Sequence, residues 1–151
     1  NGELPLGTPQ NRAPRLTQFA LGKLPELIVK GTDYPTRDGT CIRDYIHIMD
    51  IANAHTKALQ YLIENKNESN YEIFNLGSGD GVTVLEAIQA FEKAAGMKLN
   101  YKTGPRRPGD VVAIYADNTK AREKLGWSPK RNIEQMMASA WKWEQLLAGT
   151  R

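Results

Sequence analysis

The stretch Gly31–Asp50, GTDYPTRDGTCIRDYIHIMD, constrains the fold of this chain more than any other. It opens in a turn rich in glycine and charge, passes into apolar residues at alternate positions, and reaches an acid suited to start a helix. The pattern predicts turn, strand and helix in that order, with Asp50 as the helix N-cap. Arg43 stands where turn meets strand, and Ile42, Ile46 and Ile48 would bury the strand that aims it. A guanidinium is permanently charged and can fork onto a phosphate, so an anion site at a sheet edge is one use of this arrangement. A surface ion pair is the other, and chemistry alone leaves both open.

The rest of the chain reads as a mixed α/β pattern. A helix from about Pro14 to Lys23 buries Leu16, Phe19 and Ala20 and is ended by Pro25, and Leu27–Val29 forms a short strand. The helix opened by Asp50 runs to about Glu64 with Ile51, Ala54, Ala58, Leu59 and Leu62 inward. Tyr71–Leu76 is a strand stopped by GSGDG, a plain turn between strand and helix. Thr83 and Glu86 form a capping box for a helix to Ala95, which Gly96 ends. Lys98–Lys102 and Val112–Tyr115 are strands. Asp117 or Asn118 caps a helix ending near Gly126, and Ile133–Leu147 is the last helix.

Charge and cysteine content narrow the classes. The net charge is only +3, and the tightest basic knot, Lys102, Arg106 and Arg107, is too small for a nucleic-acid groove. No apolar run reaches the length of a spanning helix. The single cysteine, Cys41, excludes an internal disulfide and reads as a buried inert thiol. His47 and His55 lack partners at metal-ligand spacing and read as structural, so no metal site is expected. Trp141, Trp143, Met136 and Met137 read as helix packing against a neighbouring lobe or subunit.

A second candidate site is the loop GPRRPGD, Gly104–Asp110. Its prolines and glycines limit its freedom, so Arg106 and Arg107 are presented at low entropic cost. An arginine suits a diphosphate, and a carboxylate such as Asp110 accepts both protons of a ribose diol. A solvated loop with an internal Arg–Asp pair accounts for the same residues.

Several segments in one order carry a resemblance. GTPQNRAP, GTDYPTRDGTCIRDYIHIMD, YEIFNLGSGDGVTVLEAIQAFEKAAG, GPRRPGD and DNTKAREKLGWSP together resemble the distal half of the UDP-glucose 4-epimerase family, which are extended short-chain dehydrogenases/reductases. The resemblance implies a small mixed α/β substrate-binding lobe over residues 1–151, plus a strand and helices, about residues 45–80, that return to a Rossmann lobe. It implies phosphate contacts from Arg107 and Arg43, a ribose contact from Asp110, and a phosphate–sugar contact from Asn11. Here Gln10 replaces the family's first asparagine, and Arg12 replaces the usual leucine, adding a charge contact or a clash. Ile28, Val29 and Lys30 match the strand over which uracil lies, with Lys30 where an aromatic residue is common. Ile114 matches the position that gates room around the hexose, and a strand core residue is its other reading.

Neither a G-x-x-G-x-x-G nor a G-x-G-x-x-G fingerprint is present, and no tyrosine is followed by a lysine four residues later. The resemblance therefore implies an isomerase acting on a UDP-hexose whose NAD and catalytic residues belong to an N-terminal half outside this chain. It also implies a cytoplasmic homodimer when intact, and a 151-residue chain that is inactive alone. A non-catalytic nucleotide-sugar-binding module, or part of a nucleotide-sugar dehydratase or UDP-glucuronate epimerase, are the alternatives; product analysis and the upstream sequence separate them. Cut loose, the borrowed elements would expose an unpaired strand edge and an apolar face.

Overall fold

The computed structural model describes residues 7, 9 and 11–149. Gln10, named above, lies outside them. The order is α1 (Arg12–Ala20), β1 (Ile28–Lys30), β2 (Ile42–Arg43), α2 (Ile48–Ile63), β3 (Val82–Thr83), α3 (Val84–Ala95), β4 (Lys102–Gly104), β5 (Ala113–Ile114), α4 (Thr119–Leu125) and α5 (Ile133–Gly149). The expected mixed α/β character holds, with two small sheets. In one, β1 pairs in parallel with β4, Lys30 facing Gly104. In the other, β2 lies between antiparallel β3 and parallel β5, so that Arg43 faces Val82 on one side and Ile114 on the other.

Two apolar clusters carry these sheets. The larger joins Leu16, Val29, Val84, Ile88, Phe91, Met137 and Trp141, with Phe91 and Trp141 edge to face at 5.6 Å. Met137 and Trp141 thus pack on the chain's own α3, not on a neighbouring lobe as their composition suggested. The smaller cluster gathers Ala54, Tyr61, Ala121, Leu125 and Trp127 between α2 and α4.

Where sequence rules act locally, the elements fall as expected. Thr83 and Glu86 make both bonds of the capping box, and Gly96 closes α3 in the left-handed region at φ 67°. The start of α2 differs. His47 is its N-cap, its Nδ1 accepting the Met49 N–H at 3.1 Å, so Ile48 lies in the helix and is 57% exposed. Asp50 is buried in the first turn, where its carboxylate accepts the N–H groups of Lys130 (3.1 Å) and Arg131 (2.9 Å) and the Arg131 guanidinium (2.6 Å). Its carbonyl accepts the Trp127 indole at 2.9 Å. The acid that looked like a cap is spent on tying α2 to the segment that leads into α5.

Other boundaries shift for physical reasons. Helix α1 ends at Ala20, short of Lys23, because Gly22 turns the chain at φ 71°. The strands expected at Leu27–Val29 and Lys98–Lys102 are displaced to β1 and β4, where the mutual register places them. Tyr71–Leu76 forms no regular element and joins no sheet among the described residues. Its exposure still alternates as a strand's does, with Tyr71 and Ile73 outward and Phe74 and Leu76 against the smaller cluster. Leu59, Leu62 and Ile63 of α2, two of them expected inward, stand 55–71% exposed.

Candidate functional site

The parallel register of β1 and β4 decides what the GPRRPGD loop faces. Gly31 donates its N–H to the Gly104 carbonyl at 2.8 Å, so the loop leaves β4 directly beside the turn that follows β1. There Arg106 is taken up. Its Nε donates to Asp33 Oδ1 at 2.9 Å, an Nη donates to the Asp33 carbonyl at 2.5 Å, and the guanidinium lies 4.2 Å over the Tyr34 ring. A Cβ on Gly31 would collide with the Tyr34 ring, and φ is 74° there, so only glycine lets the stack close.

Arg107 turns elsewhere. It lines a cleft of about 310 Å³ with Arg12, Arg15, Leu27, Ile28 and Lys30. Among the described residues that lining carries no carboxylate, and none of Arg12, Arg15, Lys30 or Arg107 takes part in an ion pair. Arg12 and Arg15 come from the first turn of α1, which has no acid and whose N-cap Asn11 makes no side-chain cap bond. Cations at the amino end of a helix oppose its dipole, so an anion docked there relieves them and is favoured by the dipole as well. Arg12 also lies beside the Tyr45 hydroxyl, whose pKa burial raises and that guanidinium lowers.

The second group sits where β2 meets β5. Arg43 donates to Asp110 Oδ1 at 3.0 Å and to the carbonyls of Ile42 (2.7 Å) and Val111 (3.0 Å). Asp110 in turn closes the loop by donating its N–H to the Arg107 carbonyl at 3.1 Å. The acid's partner is thus Arg43, 67 residues away, and not a loop arginine. Tyr34 is 4% exposed with its hydroxyl unpartnered among the described residues; burial raises its pKa, and the charge of Asp110 acts in the same direction.

Of the residues singled out from sequence, the structure brings Arg12, Ile28, Lys30 and Arg107 to one cleft, and Arg43, Asp110 and Ile114 to the adjoining sheet edge. Asn11 is exposed next to Arg12. Val29 is not presented: its side chain is wholly buried and its backbone is registered against Thr103. Ile114 is 59% exposed, which removes the reading as a core residue. Arg15 was missed, although its spacing of three from Arg12 puts both on one helix face. Cys41 is buried, and His47 is structural, its Nε2 3.1 Å from Ser139 Oγ. No cluster of potential metal ligands occurs among the described residues.

Comparison with known proteins follows the same lines. A family model described as GDP-mannose 4,6 dehydratase matches residues 7–140. The chain is 47% identical over 143 residues to a UDP-glucose 4-epimerase of Bacillus subtilis (strain 168), covering 95% of this chain and 41% of that protein. It is 49% identical over 143 residues to a UDP-glucose 4-epimerase of Drosophila melanogaster, with the same coverage of 95% and 41%. Among solved structures, a UDP-glucose-4-epimerase from Stenotrophomonas maltophila with bound NAD and formylated UDP-arabinopyranose superposes with a TM-score of 0.93 at 44% identity, covering 99% of this chain and 44% of that one. A UDP-glucose 4-epimerase from Bifidobacterium longum in complex with NAD+ and UDP gives 0.87 at 43% identity, covering 99% and 44%. The chain spans about two fifths of the length of the curated relatives it matches.

Proposed function

Because the chain belongs to the GDP-mannose 4,6 dehydratase family, we propose that it is the C-terminal, nucleotide-gripping part of a UDP-glucose 4-epimerase. The observation that carries this reading is the cleft in which Arg107 meets Arg12, Arg15 and Lys30 with no described carboxylate in its wall. Such a cleft suits a diphosphate, and its apolar wall of Leu27 and Ile28 suits the flat face of a base.

In this reading the ligand changes the partners of the second group. Arg43 gives up Asp110 for a phosphate oxygen, and the released carboxylate accepts the two hydroxyl protons of the ribose. Ile114, exposed beside Arg43, borders the hexose and sets the room for substituents on it. With the nucleotide held at phosphate and ribose, the hexose is free to turn while its anchor stays fixed. Binding energy remote from the reacting carbon is thereby used to position it.

Resident NAD would supply hydride exchange at C4 of the hexose, but the residues of this chain do not fit it. The glycine turn at residues 77–81 is closed by Asp44, whose carboxylate accepts from Ser78 N (2.8 Å), Ser78 Oγ (2.7 Å) and Ala116 N (2.9 Å). The amides of Ser78 and Gly81 are thus already bonded, to Asp44 and to Ser78 Oγ, and the turn does not offer them to a pyrophosphate. We assign NAD and the proton-transferring residues to an N-terminal half, against which residues 45–80 pack. The unpaired strand-like segment 71–76 and the exposed Leu59, Leu62 and Ile63 support that docking. A cytoplasmic homodimer completes the proposal; no described helix is long and apolar enough to cross a membrane.

The test is calorimetric titration of UDP and UDP-glucose into this chain and into the same chain joined to its N-terminal half. Saturable binding in at least the joined form, lost on Arg107→Ala, is expected. A folded joined protein that binds neither ligand refutes the reading.

A further inference from the structure

Tyr34 is a buried phenol whose hydroxyl has no partner among the described residues. Buried hydroxyls in folded proteins are nearly always hydrogen-bonded, so an orphan calls for a reason. This side chain is firmly held. The Tyr34 N–H donates to the Gly39 carbonyl at 2.9 Å, and the Tyr34 carbonyl accepts the Thr36 N–H at 2.8 Å. Arg106, bonded to Asp33, covers one face of the ring from 4.2 Å, and Gly31 leaves room for its edge. The ring itself belongs to the larger apolar cluster. A hydroxyl on a ring fixed in this way bonds only what is brought to it.

The groups around the hydroxyl narrow the choice. The titratable and charged side chains that act on it are Asp110, Cys41, Arg106 and Arg43. A guanidinium has no acceptor atom and a thiol accepts weakly, which leaves the Asp110 carboxylate as the strong acceptor among them. Asp110 is turned to Arg43, whose Nη2 reaches Oδ1 at 3.0 Å, and Arg43 is tied in addition to the carbonyls of Ile42 and Val111. In this arrangement the acid has an arginine as its donor and the tyrosine has no acceptor.

We propose that Tyr34 is a positioning residue for the ribose contact: its hydroxyl donates to Asp110 when Arg43 turns to phosphate, and so keeps the carboxylate aimed at the ribose diol. The inference rests on the nucleotide-sugar reading above and adds to it a residue that acts only through Asp110. A carboxylate offers about four lone-pair sites, so the phenol and both ribose hydroxyls are accommodated together. Burial, and after it the charge of Asp110, keeps the phenol protonated and therefore a donor at neutral pH. The exchange strands no group: Arg43 trades a carboxylate for a phosphate, and Asp110 trades a guanidinium for a phenol. The hydroxyl is bonded in the second state alone, so it contributes to binding and not to the stability of the fold.

The experiment is a double-mutant cycle in the chain joined to its N-terminal half. UDP and 2′-deoxy-UDP are titrated calorimetrically into the parent, Tyr34→Phe, Asp110→Ala and the double variant, with Arg107→Ala as the control for the nucleotide site. The urea midpoint of each is measured alongside. Phenylalanine keeps the ring and its stack with Arg106. Tyr34→Phe is expected to lose about tenfold in UDP affinity, the weight of one hydrogen bond to a charged group. Its urea midpoint equals or exceeds the parent's, because no bond of the fold is removed. The preference for UDP over 2′-deoxy-UDP falls by about threefold or more, and Tyr34→Phe has no further effect where Asp110 is already alanine. Unchanged UDP affinity in Tyr34→Phe overturns the proposal while Arg107→Ala still marks the site. A loss that persists at full size in the Asp110→Ala background overturns it too, as does a lowered midpoint with the ribose preference intact. No UDP binding by the folded parent overturns both this proposal and the nucleotide-sugar reading.

Discussion

Arg106 and Arg107 are adjacent, alike in charge and both exposed, yet the structure gives them opposite work. Arg106 is already occupied by Asp33 and the Tyr34 ring, whereas Arg107 faces the cleft. Replacing Arg107 by alanine removes a cation from an anion site. A charge-assisted hydrogen bond contributes about 1.5–3 kcal/mol, which corresponds to a loss of about 10- to 150-fold in affinity for UDP-glucose. Stability should stay within about 0.5 kcal/mol of the parent, because no described ion pair is lost. Replacing Arg106 by alanine should do the reverse. It opens the clamp that joins the loop to the turn after β1, lowers the urea midpoint, and weakens binding by less than about fivefold. Calorimetry and urea denaturation on both variants measure all of these quantities. A larger binding loss for Arg106→Ala than for Arg107→Ala refutes the assignment of the two arginines.

Glu86 carries a test in pH. The Arg37 guanidinium, with the capping box behind it, holds its carboxyl down from 4.5 to about 2. A depressed folded pKa means its contribution is complete above about pH 4.5 and is lost as pH falls to about 2. The gap in melting temperature between the parent and Glu86→Gln should therefore be widest near neutrality and close over that window; a gap unchanged at pH 2.5 contradicts it. Asp50→Ala strands three donors and part of the Arg131 charge, and a loss of about 3–5 kcal/mol in urea denaturation is expected. Leu59→Asp with Leu62→Asp should reduce self-association of the isolated chain in sedimentation velocity, since both side chains stand more than half exposed. Unchanged association would show that α2 is not the adhesive face.

The features that sequence rules reach are those made by neighbours in the chain. The Thr83–Glu86 capping box and the Gly96 stop of α3 span four residues or fewer, and the structure has both. The buried thiol of Cys41 follows from its apolar setting in the same way. Asp50 shows where that reach ends. Its type and position satisfy the rule for an N-cap, but His47 caps the helix and Asp50 bonds to residues 80 and 81 positions later. Tyr71–Leu76 has the alternation of a strand, and alternation cannot say whether a partner strand is present.

By itself, then, the amino-acid order determined the helices, the mixed α/β class and, through the resemblance of its segments, the family to which the chain belongs. It did not determine which arginine of a pair grips a ligand, nor that Arg15 shares a cleft with Arg107. Those are decided by the parallel register of β1 on β4, which pairs residues some 70 positions apart, and by the packing of α1 beside them. Local rules act through bonds that close within a turn or two of the chain; a site exists only once distant segments have been brought together by burial.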